Sequence, residues 1–213
     1  MGLSSVTERV ILSDVCVAEG YDWLCARVPA FDRLCLDDPI PLRLRNDGFP
    51  ALLSAIVGQQ VSVASARALW AKLDAAHMTN ETAIKSASED RLRALGLSRQ
   101  KARYARNLAL AEIDFDGLRS QPSEAVIGRL VQITGIGRWT AEIYVMFSLG
   151  RADVIAAGDL ALQEAARQLF NLPARPSERD LRAMAEDWSP WRSVAARILW
   201  AYYSQQKNRE GLA

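Results

Sequence analysis

The residues best suited to chemistry lie between Leu130 and Phe170. Ile133-Thr134-Gly135-Ile136-Gly137-Arg138-Trp139-Thr140-Ala141 reads as a glycine–hydrophobic–glycine turn joining two helices. The glycines permit left-handed backbone angles, Ile136 plugs the angle between the helices, and the second helix opens with amides that have no acceptor inside it. Such amides, at the positive end of a helix dipole, hold a phosphate without reading base sequence. The same residues also suit a plain tight turn between helices. Further along, Val154-Ile155-Ala156-Ala157-Gly158-Asp159 delivers a carboxylate to the start of an apolar-periodic helix, Leu160 to Phe170. Aspartate there is a helix N-cap, and the dipole favours its charged form.

Other chemistries lack parts. His77 is the single histidine, so a histidine-based triad, a histidine metal cluster and a phosphorelay are excluded. Cys16, Cys25 and Cys35 all fall early in the chain, at spacings that match neither a disulfide framework nor paired zinc ligands, and read as buried small hydrophobes. Carboxylates, hydroxyls and backbone remain. Lys and Arg number 26 against 25 Asp and Glu, a formal charge of +1, so nucleic-acid contact must come from a local patch rather than from global charge. The run Arg91, Arg93, Arg99, Lys101, Arg103 and Arg106 has no acid beyond its start and reads first as a solvated helix face.

These groups must be positioned by helices. Apolar residues recur at helical spacing, as in Leu52, Leu53, Ile56 and Val57, or Ile127, Leu130 and Val131, and sustained alternation is missing, which predicts an all-α fold. Ser88, Ser98 and Ser177 read as N-caps, and Gly96 as a C-terminal stop. The predicted helices lie near 5–19, in short pieces to about 37, then near 49–58, 62–76, 80–86, 88–95, 99–113, 122–132, 138–149, 159–170, 177–187 and 190–205. An irregular stretch runs through Pro39, Pro41 and Asn46-Asp47-Gly48. No window reaches the roughly 18 apolar residues of a membrane span, and the N-terminus lacks signal-peptide features, so a cytoplasmic protein is expected.

The pattern h-x-x-h-x-G-h-G-x-x-T-A over Leu130 to Ala141, followed by Asp159, closely resembles the helix-hairpin-helix of DNA-repair glycosylases. Ala55-Ile56-Val57-Gly58-Gln59-Gln60-Val61-Ser62 is similar to the I-x-G-Q-x-V-S segment of AlkA-type 3-methyladenine DNA glycosylases. Leu95 to Ala102, Trp188-Ser189-Pro190-Trp191-Arg192-Ser193 and Ala196 to Tyr202 extend the likeness over most of the chain. The chain thus resembles the AlkA-type, DNA-3-methyladenine glycosylase II branch of the helix-hairpin-helix superfamily.

That resemblance implies a single glycosylase domain, 1–213, made of two helical lobes with a DNA cleft between them. One lobe would span about 1–48 plus 160–213, the other about 49–159. It implies Asp159 as the catalytic carboxylate, Trp139 and Trp200 as base-pocket aromatics, and Gly135, Ile136, Gly137 and Thr140 as the DNA-binding hairpin. Gln60 falls where the family inserts a wedge into the duplex; the well-known member carries leucine there. Ala201 and Ile143 replace family aromatics, which implies a roomier, less polar pocket. With no cysteine after Cys35, no iron–sulfur cluster is expected, and no other cofactor or metal; the family pattern leaves room for a structural monovalent cation at the hairpin. Trp139 stands where strand-cutting members carry a Schiff-base lysine, so the implied reaction stops at an abasic site. The expected partner is double-stranded DNA containing damaged bases, bound by a monomer, at the nucleoid if the source is bacterial. Two alternatives stay open: a non-catalytic hairpin module in which Asp159 only caps its helix, and a glycosylase for another lesion such as hypoxanthine or 1-methyladenine.

Overall fold

The computed structural model describes residues 8–34 and 36–211. Over those residues the chain is all-α: α1 Asp14–Arg27, α2 Pro29–Asp32, α3 Phe49–Gly58, α4 Val63–Ala75, α5 Glu81–Ser86, α6 Glu89–Ala94, α7 Arg99–Leu110, α8 Phe115–Leu118, α9 Ser123–Leu130, α10 Arg138–Phe147, α11 Leu160–Leu169, α12 Glu178–Met184, a 3-10 turn Ala185–Trp188, and α13 Arg192–Gly211. The predicted caps are in place. Ser88, Ser98 and Ser177 accept from the amides of Arg91, Lys101 and Asp180, and Asp180 returns a bond to complete a capping box. Gly96 ends α6 at φ 108°.

The first helix differs from expectation. It starts at Asp14, not near 5, and residues 5–7 lie outside the described residues. The Ile11 amide donates to the Gly150 carbonyl at 2.7 Å, and the Ala152 amide donates to the Arg9 carbonyl at 3.0 Å, forming an isolated bridge between Val10 and Arg151. Backbone groups that a helix would need are thereby taken by a distant segment.

The chain divides into two compact units, with the second crossing inside α10: the described residues of Met1–Leu44 with Val145–Ala213, and Arg45–Tyr144. In the first, α13 packs against α11 and α1. A Cβ on Gly20 would come within 2.7 Å of Trp191 and Val194, so glycine is what lets α1 and α13 approach. Phe31, Phe170 and Trp188 form an aromatic cluster with centroids 5.6 to 5.8 Å apart. Complete burial of a side chain such as Phe31 contributes about 1.5–3 kcal/mol. Cys16 and Cys25 are half-buried free thiols, not core residues as expected, because α1 turns Val17, Gly20 and Leu24 inward and leaves their neighbours at its flank. Cys35 lies outside the described residues.

In the second unit α7 is central and packs on α3, α5 and α6. Ala102, Ala105 and Ala109 keep its buried face small, while Leu52, Leu53, Ile56 and Val57 of α3 supply bulk. At the entrance to α3, the Tyr144 hydroxyl donates to Asp47, which also pairs with Arg119, and the Gly48 amide donates to the Tyr144 oxygen at 3.3 Å. Burial, then the Asp47 carboxylate, raises the Tyr144 phenol well above its ordinary range.

Candidate functional site

Asp159 caps α11. Its Oδ1 accepts from the amides of Ala161 at 2.9 Å and Leu162 at 3.1 Å, and the indole Nε1 of Trp200 donates to the same oxygen at 3.2 Å. Three donors on one oxygen fix the position of the carboxylate. The approach to it is clamped. Ser193, fully buried in the P-W-R-S segment, has its Oγ 2.6 Å from the Arg151 carbonyl and 2.9 Å from that of Val154, and its amide donates to Ala152 at 2.8 Å. Ser189 donates to Asp153 at 2.8 Å, and Gln163 to the Ala157 carbonyl at 2.9 Å. The start of α13 thus holds 151–154, and α11 holds the residues just before Asp159.

Around Trp200 lie residues the sequence did not single out. Phe147 is 5.7 Å away between centroids, tilted by 36°. The Arg43 guanidinium lies 5.8 Å from the Trp200 centroid. Arg197, fully buried, lies 4.7 Å from the Phe147 ring and donates to the carbonyls of Leu42 at 3.0 Å and Ser193 at 2.8 Å. Burial, reinforced by the Arg43 charge, lowers the Arg197 pKa to about 10.

The hairpin lies in the other unit. α9 runs out at Leu130, the Ile136 amide donates to the Ile133 carbonyl at 2.9 Å, and α10 begins with the Ala141 amide on the Gly137 carbonyl at 3.0 Å. Ile136 is 4% exposed and plugs the turn as expected. Only Gly135 uses a left-handed angle, φ 110°, and a Cβ there would fall 2.4 Å from the Tyr104 ring. Gly137 does not share it, a correction to the expectation for both glycines. A Cβ on Gly137 would meet nothing within 4 Å, so the exposed surface above it is open to an incoming group. Thr140 is buried, whereas Trp139 is 45% exposed. Arg138 braces the motif, with Nη2 3.0 Å from Glu124 and Nε 2.9 Å from Glu142.

Gln60 is exposed just past α3, in a left-handed conformation at φ 55°. Its neighbour Gln59 donates through Nε2 to the Gly135 carbonyl at 2.9 Å, and Lys101 donates through Nζ to the Val57 carbonyl at 2.7 Å. The loop is thereby tied to the hairpin on one side and to α7 on the other. Lys101 and Arg106, both half-buried, depart from the solvated face expected of the basic run, and burial lowers the Lys101 pKa. Arg91, Arg93, Arg99 and Arg103 are exposed as expected. The structure therefore gathers Asp159 with Trp200 in one unit, and Gln60 with Gly135, Ile136, Gly137, Trp139 and Thr140 in the other. Gln59 was detectable beside Gln60 in its motif; the contacts of Arg43, Tyr104 and Arg197 have no local signal.

Among the described residues no three His, Cys, Asp or Glu side chains converge as metal ligands, and no helix is long and apolar enough to cross a membrane.

Comparison with known proteins places this geometry. Residues 53–190 match the model of the HhH-GPD superfamily base excision DNA repair proteins. DNA-3-methyladenine glycosylase 1 of Schizosaccharomyces pombe is 32% identical over 169 residues, 73% of this chain and 72% of the relative. The crystal structure of a DNA-3-methyladenine glycosidase from Bacillus halodurans superposes with TM-score 0.75 at 27% identity, covering 90% of this chain and 91% of that one. A Schizosaccharomyces pombe 3-methyladenine DNA glycosylase in complex with abasic DNA gives TM-score 0.71 at 27% identity, over 85% and 95% of the two chains.

Proposed function

Since the chain belongs to the HhH-GPD superfamily of base excision DNA repair proteins, we propose that it is a monofunctional DNA glycosylase of the AlkA type. It would flip alkylated purines of the 3-methyladenine and 7-methylguanine kind out of double-stranded DNA and hydrolyse their N-glycosidic bonds. The observation that carries the reading is the Asp159 carboxylate, fixed by two α11 amides and the Trp200 indole.

Alkylation at a ring nitrogen makes the purine a cationic, good leaving group, so the protein has little need to protonate it. Its work is extrusion and charge stabilisation. Bond cleavage leaves positive charge on the sugar, and a preorganised carboxylate stabilises that charge and orients the attacking water. Asp159 takes this role. Trp139 and Trp200 supply aromatic surface for the extruded base, and Gln60 fills the gap that it leaves. The hairpin, Gly135, Ile136 and Gly137 with the first turn of α10, which carries the buried Thr140, receives a phosphate. The turn carbonyls of Ile133, Gly135 and Gly137 already accept hydrogen bonds from Ile136, Gln59 and Ala141, and no step of the reaction passes through a cation at the hairpin. No lysine occurs between Gln132 and Asp159, so water captures the sugar cation and an abasic site remains.

A base-release panel tests the reading, with duplexes carrying 3-methyladenine, 7-methylguanine, hypoxanthine or 1-methyladenine and chromatography of the freed base. Release of the first two is expected. Release of only the others would move the substrate class, and tight binding without release would make the chain a non-catalytic hairpin module.

A further inference from the structure

Gln59 and Gln60 are consecutive, yet only Gln60 is exposed. Gln60 stands at φ 55°, a left-handed angle uncommon for a residue with a side chain. Gln59 is half-buried, and its Nε2 donates at 2.9 Å to the Gly135 carbonyl, 76 residues further along the chain. That carbonyl shares a planar peptide unit with the Ile136 amide, which donates to the Ile133 carbonyl at 2.9 Å. The central peptide of the hairpin is therefore held at both ends, and one of those ends is held by the loop that carries Gln60. Gly135 also sits against the Tyr104 ring, where a Cβ would fall at 2.4 Å, so the turn has no room to settle toward α7. On the other side of the loop, Lys101 donates at 2.7 Å to the Val57 carbonyl in the last turn of α3, a cation where the helix dipole favours one. Gln60 thus follows a segment fixed at two points, to α7 through Val57 and to the hairpin through Gln59.

We propose that Gln59 is a positioning residue for the duplex wedge: by fastening the Gln60 loop to the Gly135 carbonyl, it sets the offset between the phosphate gripped at the hairpin and the gap that the wedge enters. This rests on Gln60 being the wedge and on the hairpin being the phosphate grip. A grip on backbone alone accepts any register of duplex equally. A wedge on a freely moving loop would have to be ordered at every encounter, at a cost in conformational entropy. With Gln59 bound to the hairpin, that ordering is already done in the free protein. The wedge then meets the base stack at one offset from the gripped phosphate, and a nucleotide weakly held at that offset is the one that yields a gap. Gln59 acts through Gln60, not on the base.

The test measures filling of the gap with no bond cleavage involved, as the ratio of the full chain's affinities for a duplex carrying a tetrahydrofuran abasic-site analogue and for the same duplex intact. Wild-type protein should prefer the abasic duplex. Gln59→Met keeps the length of the side chain but donates no hydrogen bond. It should bind the intact duplex within about twofold of wild type and lose about three- to tenfold of the preference, the effect of one hydrogen bond. Gln60→Ala should also lose preference, and adding Gln59→Met to it should cost no more. A preference that Gln59→Met leaves unchanged overturns the proposal, as does wild-type protein with no preference. Equal loss of affinity for both duplexes, or a variant that no longer folds, would make Gln59 a support of the hairpin and overturn it too, as would a loss that persists in full without the Gln60 side chain. Failure of the glycosylase reading would appear separately, as wild-type protein that frees no base from alkylated duplex while the preference for the abasic duplex stands.

Discussion

The two regions that carry the proposed activity are built on opposite plans. Around Asp159, three donors converge on one oxygen, and the residues leading to it are pinned by Ser193, Ser189 and Gln163. At the hairpin the fixed parts, Ile136 and the Gly135–Tyr104 contact, lie beneath a surface of exposed backbone that is open above Gly137. Both use a helix N-terminus. At α11 the positive end is filled by the protein's own carboxylate; at α10 the proposed reading assigns it to a phosphate from outside. A reaction that develops charge at one atom needs the first arrangement, and a grip that ignores sequence needs the second.

Removing the charge from the pinned region should have the largest effect. Asp159→Asn keeps a cap acceptor and should fold, yet single-turnover release of a methylated purine should fall by about 10²–10³-fold with duplex affinity nearly unchanged. Release close to wild type would reduce Asp159 to a cap. Putting a charge into the open region should do the converse. Gly137→Asp introduces a side chain where no neighbour obstructs it, so the protein should melt near the wild-type temperature while affinity for damaged and undamaged duplex falls at least about tenfold. Unchanged affinity in salt titrations would mean that phosphate binds elsewhere. A subtler variant separates the carboxylate from its support: Trp200→Phe keeps a ring and loses the N–H on Oδ1, and should slow release about tenfold. A slowing that appears wholly in substrate affinity would assign Trp200 to stacking alone.

The same contrast governs what the sequence reveals. The hairpin, its plug Ile136 and the caps at Ser88, Ser98 and Ser177 are local devices, each written in a few adjacent residues, and they stand where the spacing predicts. Asp159 is legible as a cap for the same reason. The short helix α8 was missed although Asp114 caps it through the Gly117 amide, because four residues are too few to show periodicity. Long-range features left less trace. Val10 to Leu12 carries apolar residues suited to a helix, but pairing with 150–152 keeps it extended. Arg197 looks like one more charge on the last helix, yet it is fully buried and bound to Leu42, far away in the chain. Arg43 over Trp200 and Lys101 beneath α3 belong to the same class: the residue is visible, but its partner is chosen by the fold.

The most direct test of the central claim follows both the base and the strand. Wild-type protein is incubated with end-labelled duplex carrying a single alkylated purine, and freed base, strand length and borohydride-trapped adduct are measured together. The account predicts stoichiometric release of the methylated base, full-length strands that break only after hot alkali, and no covalent protein–DNA adduct. Strand scission before alkali accompanied by a trapped adduct would contradict the monofunctional reading and require a lysine such as Lys101 or Lys207 to reach the sugar; no release at all would contradict the glycosylase itself.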